Sequence, residues 1–291
     1  MKACAALVLV AFAPLAGQAT PFKVTGGGAP AVSPDGRRIA YFSDRSGVSQ
    51  LYTIGADGTN EFQVTHGSDR AGSPATWAPD QRQLTFTTFM RDTTRVFTIG
   101  TDGGGLRQIA VAPGRMAVPS PDRRRVVYSI GDWKANKLMT ADLDGGNARQ
   151  IFDSSSIAWN MKWSPDGKQI AFTGRDEGGG DLAVFVMNAD GSGRHQVTHI
   201  VREKGNAQVP AWSTDGHQLA MQVSGVIWTV DLATGMAREL TPHPSGYVDE
   251  TPSWFPDGKQ IAFQSDRTGR MEVWVMNADG TGQRQVTGNP R

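Results

Sequence analysis

The chain has 291 residues, of which 38% are apolar and 20% charged, a composition that excludes a disordered or fibrous protein. Lys and Arg number 29 against 28 Asp and Glu, a formal net charge of +1. That near balance removes the electrostatic case for binding nucleic acid or an anionic membrane.

Met1-Lys2 is a short basic start, and Ala5 to Leu15 is an apolar run broken only by Pro14. Gly17 and Ala19 then supply the small residues that a signal peptidase needs, so residues 1–19 read as a secretory signal cleaved after Ala19. The apolar run is too short to span a bilayer comfortably. Cys4, the one cysteine, leaves with the leader, so no disulfide is expected in residues 20–291. No later apolar stretch approaches 18 residues, and no membrane insertion is expected. The expected location is periplasmic or secreted.

From here the chain repeats. Ser33-Pro34-Asp35-Gly36 returns as Ala78-Pro79-Asp80-Gln81, Ser120-Pro121-Asp122-Arg123 and Ser164-Pro165-Asp166-Gly167. Ser213-Thr214-Asp215-Gly216 and Phe255-Pro256-Asp257-Gly258 complete the series. The aspartates lie 45, 42, 44, 49 and 42 residues apart, so six units fill the chain and a second domain is not expected. In each turn Pro presets φ at the first corner, Asp suits the second, and Gly accepts a positive φ before the next strand. Gln81 and Arg123 fill the Gly slot in units two and three, each at an expected strain of about 1 kcal/mol. On that ground alone Arg123→Gly is expected to stabilise the protein.

Four residues after each aspartate stand Ile39, Leu84, Val126, Ile170, Leu219 and Ile261. Six after it stand Tyr41, Phe86, Tyr128, Phe172, Met221 and Phe263, with Ala40, Thr85, Val127, Ala171, Ala220 and Ala262 between. Bulky residues point one way and mostly small ones the other, at period two, as in a strand covered on both faces. A second apolar run follows, such as Val184-Phe185-Val186-Met187, then a turn such as Asn188-Ala189-Asp190-Gly191, then a short strand such as Gln196-Val197-Thr198. Trp77, Trp163, Trp212 and Trp254 sit three residues before their turn aspartates, in a strand entering the turn. Each unit thus has four strands, A to D, with no helical period.

Such a sheet cannot bury both faces alone, but six can if they pack around an axis. The expected fold is all-β: a six-bladed β-propeller of four-stranded antiparallel blades over residues 20–291. Its blade repeats fall at about 28–67, 73–111, 115–153, 159–199, 208–242 and 251–288. A two-sheet sandwich is the alternative. Phe22-Lys23-Val24-Thr25 looks like one more D strand, which either closes the ring on blade six or adds a fifth edge strand there.

The segments PAWSTDGHQLAM, WSPDGKQIAFTG and PSWFPDGKQIAFQSDRTGRMEVWVMNADGTGQRQVT resemble the propeller repeats of the TolB family over roughly residues 21–291. The resemblance implies a periplasmic component of the Tol–Pal cell-envelope system whose propeller binds partner proteins, the lipoprotein Pal among them. TolB proteins also carry an α/β domain ahead of the propeller. None is expected here, because the first turn begins at Ser33. The same repeat occurs in oligogalacturonate lyases and in propellers attached to serine peptidases.

Strand alternation places A–B and C–D turns on one face and B–C and D–A loops on the other. The second face carries the candidate partner-binding residues His66, Asp69, His199, His243, Asp249 and Glu250. Loops on a rigid scaffold are where binding resides, and acidic groups at a channel mouth attract a basic or hydrogen-bond-donating segment. The resemblance marks Asp249-Glu250-Thr251-Pro252 as corresponding to the partner-binding loops of TolB-like propellers, with His66 in a comparable D–A loop. Asp44 and Asp266, in Ser-Asp-Arg-Ser/Thr-Gly, are expected to bond local backbone in B–C turns. His66, His199 and His243 raise the idea of a three-imidazole metal site. They follow blades one, four and five, however, so exposed loop histidines are the expectation.

There is no Gly-x-Ser-x-Gly elbow and no His-Glu-x-x-His. The expectation is a non-catalytic, monomeric periplasmic scaffold without a cofactor, TolB-like. It is expected to bind an envelope protein or peptide on the D–A and B–C face. The alternatives are a metal-dependent oligogalacturonide lyase-like propeller and a small-ligand-binding accessory or sensor protein.

Overall fold

The computed structural model describes residues 28–67, 71–90, 93–112, 115–131, 136–153, 158–175, 182–198, 205–243 and 246–288. The proposed leader, the strand-like stretch 22–25, Asp69 and His199 lie outside them. Blade one is β1 (Gly28–Val32), β2 (Arg38–Ser43), β3 (Gln50–Gly55) and β4 (Phe62–Gln63). Blade two is β5 (Gly72–Trp77), β6 (Gln83–Met90), β7 (Thr93–Gly100) and β8 (Arg107–Ala112). Blade three is β9 (Arg115–Pro119), β10 (Arg125–Gly131), β11 (Asn136–Asp142) and β12 (Arg149–Asp153). Blade four is β13 (Ala158–Trp163), β14 (Gln169–Arg175), β15 (Leu182–Asn188) and β16 (His195–Gln196). Blade five is β17 (Ala207–Trp212), β18 (Gln218–Val223), β19 (Val226–Asp231) and β20 (Ala237–Glu239). Blade six is β21 (Asp249–Trp254), β22 (Gln260–Ser265), β23 (Glu272–Asn277) and β24 (Arg284–Gln285).

Each blade is a separate four-stranded antiparallel sheet with its strands in chain order, and no helix occurs among the described residues. This is the expected six-bladed propeller. Blade six takes its fourth strand, β24, from the end of the chain.

The alternation of bulky and small residues becomes one apolar cluster at each blade junction. Ala171, Val184 and Val186 of blade four pack on Trp212, Leu219 and Met221 of blade five. The ring closes in the same way, with Ala262, Val273 and Val275 of blade six against Ile39 and Tyr41 of blade one. Each blade offers its small face to the next blade and its bulky face to the one before. Only a closed circle covers both faces of every sheet.

The tryptophans wedge between blades and carry a polar contact as well. The indole nitrogens of Trp77, Trp163 and Trp212 donate to the carbonyls of Ala31, Val118 and Lys162 at 2.8, 3.0 and 3.1 Å, each on the inner strand of the preceding blade. At the outer strand, the threonine of the Gln-Val-Thr motif ties D to C. Leu51, Val184 and Val273 donate their amides to the hydroxyls of Thr65, Thr198 and Thr287 at 2.8, 3.1 and 2.8 Å.

The A–B turns form as read. Gly36 N donates to Ser33 O at 2.9 Å, the Ser33 hydroxyl donates to Asp35 at 2.6 Å, and Gly36 has φ +72°. Gln81 and Arg123 hold the same left-handed slot at φ +60° and +57°. Their side chains reach the preceding blade. The Arg123 guanidinium donates to Gln83 Oε1 and Thr85 Oγ1, both at 3.1 Å. The Gln81 amide nitrogen, turned as its surroundings demand, faces an Asp35 oxygen at 2.8 Å. The expected gain from Arg123→Gly therefore changes sign, because the strained residue also stitches blades two and three.

Every inner strand carries an irregularity that periodicity does not announce. The pairing of A with B slips once in each blade. Ala29, Met116, Asn160, Val209 and Thr251, each six residues before its turn aspartate, have φ between +51° and +56°. Such bulges sharpen the local twist and re-aim side chains, here on the strands that surround the axis.

Candidate functional site

The B–C and D–A loops share one face, and in blade six they interlock. Asp249 begins the inner strand β21, and its side chain is fully buried. Arg267, from the B–C loop, donates to both Asp249 oxygens at 2.8 Å. The same guanidinium bonds Ser265 Oγ at 2.9 Å and stands 4.6 Å from the Trp274 ring centre and 5.1 Å from that of Tyr247. A buried charge is tolerated only when paired and bonded in this way.

His243 comes from the preceding D–A loop. Its Nε2 lies 3.0 Å from Gly225 O, which as an acceptor requires the proton on that nitrogen, and 3.6 Å from Asp249 Oδ2. The imidazole stacks on Tyr247 with ring centres 3.9 Å apart. Gly225 O also accepts the Asp249 amide at 2.8 Å, so the loop is pinned to the B–C hairpin of blade five. Asp266 Oδ1 accepts the Val248 amide at 2.7 Å, so this aspartate anchors the D–A loop rather than its own turn.

Glu250 follows Asp249 at the start of the inner strand. Its Oε1 accepts from Gln264 Nε2 at 2.6 Å, and Gln264 Oε1 accepts the Ala29 amide of blade one at 2.5 Å. Burial pushes the Glu250 carboxyl above the usual carboxylate range. The Gln264 bond works against this and the Asp266 charge adds to it. Blade one carries a second cluster, between its B–C loop and its outer strands. The Tyr41 hydroxyl donates to Glu61, Arg45 donates to Glu61 Oε2 at 2.8 Å, and Arg45 lies 4.1 Å from the Tyr52 ring centre. Burial, then the Glu61 bond, push the Tyr41 phenol far up. Arg45, Ser46, Tyr52, Glu61 and Gln63 line an open groove there.

Of the sequence candidates, the structure brings His243, Asp249 and Glu250 together and leaves His66 exposed in its own loop. Asp249 has no surface to offer a partner and His243 has little, so both act by holding the loops. Among the described residues no three His, Cys, Asp or Glu side chains group as metal ligands. Sequence reasoning missed Arg267. The available cue was the pair Asp266-Arg267, whose arginine recurs as Arg45 at the same position of blade one.

Comparison with known proteins agrees with this architecture. Residues 123–290 match the family described as TolB beta propeller domain. The protein TolB homolog of Chlorobium luteolum is 32% identical over 137 residues, which cover 46% of this chain and 29% of that protein. The chain thus spans under a third of that relative's length. Among solved structures, TolB from Acinetobacter baumannii superposes with a TM-score of 0.73 at 21% identity, covering 88% of this chain and 65% of that one. The oligogalacturonate lyase of Vibrio parahaemolyticus gives 0.59 at 14% identity, covering 87% and 89%. At such identities these two likenesses speak for fold alone.

Proposed function

From the premise that the chain belongs to the TolB beta propeller domain family, we propose that it is a non-catalytic, periplasmic protein-binding scaffold of the cell envelope. Its partner is a protein or peptide that docks on the face bearing the D–A and B–C loops. The observation that carries this reading is the layered arrangement in blade six. A buried Asp249–Arg267 pair fixes the loops, and the next residue of the strand, Glu250, is held by Gln264 while burial disfavours its charged form. A cationic or hydrogen-bond-donating segment arriving there would relieve that cost, which gives the site a preference for such a partner. Glu250 and His66 are the proposed contacts among the described residues. Asp249 and His243 are positioning residues. The rigid ring needs no conformational change to present these loops.

Site-specific photo-crosslinking in the native envelope tests the reading. A photoreactive residue replacing Glu250 or His66 is expected to trap envelope proteins. One replacing Lys259, exposed in the A–B turn of the other face, is expected to trap none. Adducts from position 259 alone, or from no position, would overturn it.

A further inference from the structure

The six inner strands surround the axis, and one of them carries a lysine where the other five have short, uncharged side chains. The residues four before the turn aspartates are Ala31, Thr76, Val118, Lys162, Ala211 and Ser253. Five are short and one is long. At the equivalent position of blade six, the Ser253 hydroxyl accepts the amide of Val32, on the inner strand of blade one, at 3.2 Å. Side chains at this position therefore turn towards the next blade's inner strand, around the axis. Neighbours on β13 agree. Met161 and Trp163 lie in the apolar cluster between blades three and four, so Lys162, which alternates with them, faces away from it.

Lys162 is surrounded by protein yet partly exposed, which on an innermost strand means exposed to the channel. No hydrogen bond or ion pair reaches its amine. Burial alone pulls the group down to about 8, with no carboxylate acting on it. Its backbone is held by the Trp212 indole, which donates to the Lys162 carbonyl at 3.1 Å. Two residues earlier, the Asn160 Nδ2 is buried without a partner, on a residue whose φ is +54°. A buried donor left unmade is costly, and more so when charged. Two unmet donors on one strand therefore call for an acceptor, and a charged one suits the ammonium best. The other five positions of that column carry only short side chains.

We infer that the axial channel binds a small oxyanion, of carboxylate or phosphate type, between the Lys162 ammonium and the Asn160 amide. Its negative charge offsets the desolvated ammonium, and its several oxygens allow one to accept from each donor. The site lies inside the ring and does not depend on the loop face proposed for protein partners.

Thermal unfolding at pH 7 of the whole chain tests this, with inorganic phosphate or acetate titrated against sodium chloride at matched ionic strength. At tenfold excess over the dissociation constant, a midpoint rise of about 3 °C is expected with at least one oxyanion and none with chloride. The rise should vanish in Lys162→Met and shrink in Asn160→Ala. Lys162→Met without anion should melt no lower than the parent, since it removes an unpaired buried charge. If that variant fails to fold, Lys162→Gln keeps the polar chain and loses the charge, and the rise should vanish there too. No saturable rise in the parent with either oxyanion, or a rise undiminished once the charge is gone, would overturn the assignment.

Discussion

Arg267 reaches from the B–C loop of blade six to the start of the inner strand and places one nitrogen 2.8 Å from each oxygen of Asp249. The carboxylate is fully buried and the arginine side chain is 16% exposed, so neither charge has enough water to fall back on. Asp249→Ala should therefore destabilise the protein by about 3–5 kcal/mol, because it strands the guanidinium among aromatic rings. The double variant Asp249→Ala, Arg267→Met should cost less than the sum of the two single changes. Urea denaturation of all four proteins measures the coupling. Additive losses would show that the pair does not hold the loops together.

Trp212 and Trp254 occupy equivalent positions but differ at the indole nitrogen. Trp212 Nε1 donates to Lys162 O, while Trp254 Nε1 is buried with no partner. Trp212→Ala should cost about 3–5 kcal/mol through the cavity it leaves. Phenylalanine separates packing from bonding. Trp212→Phe leaves a carbonyl unmet and should cost about 1–3 kcal/mol more than Trp254→Phe, which removes an unmet donor. Equal losses in chemical denaturation would deny the indole bond any energetic part.

The propeller was legible because every unit repeats the same contacts. The turn aspartates set the period, and the pairs Ile39/Ala40 to Ile261/Ala262 announced two covered faces, which the blade junctions then displayed. The inner-strand bulge was not legible. Its left-handed positions hold Ala29, Met116, Asn160, Val209 and Thr251, none of them glycine, because ring geometry and not local preference imposes the conformation. The Asp249–Arg267 pair was hidden for a different reason. Asp249 and Glu250 look alike in sequence, and only the fold pairs one with Arg267 and the other with Gln264. Lys162 was visible only as an odd member of an aligned column, and its consequence depends on what fails to surround it.

Arg123 tests how a strained turn residue is retained. Glycine at its φ of +57° would relieve about 1 kcal/mol, but the substitution also deletes the bonds to Gln83 and Thr85. At about 0.5–1.5 kcal/mol each, those bonds outweigh the relief, so Arg123→Gly should lower the melting temperature slightly. In a Gln83→Ala, Thr85→Val background the bonds are already gone, and the same change should raise it. A gain in both backgrounds would mean that the inter-blade bonds contribute nothing.

The turn aspartates give the molecule an acid limit. In Asp122, Asp166 and Asp215 the hydroxyl of the serine two residues earlier, followed by the backbone amide two residues later, holds the carboxyl below its usual range. A folded-state value below the unfolded one of about 3.9 stabilises the protein above that pH, and the contribution is lost as pH falls through the folded values. Melting temperature should therefore be insensitive to these groups near neutrality and decline steadily below about pH 4. Ser164→Ala should flatten that decline. An unchanged acid slope would place the sensitivity elsewhere.

Glu250 carries the opposite sign. Burial raises its folded-state value, so the folded form prefers the protonated acid. Its favourable contribution is complete below the unfolded value of about 4.3 and is lost as pH rises from there towards the folded one. Glu250→Gln keeps an oxygen for the Gln264 amide, 2.6 Å away in the parent, and carries no charge to desolvate. The variant should match the parent near pH 4 and melt progressively higher as pH approaches 7, while capturing fewer envelope partners. Stability gained together with partner binding lost is the behaviour of a group kept for recognition at the expense of the fold. A variant that is less stable than the parent at pH 7 would make Glu250 a structural acid, and it would lose its claim as the docking point.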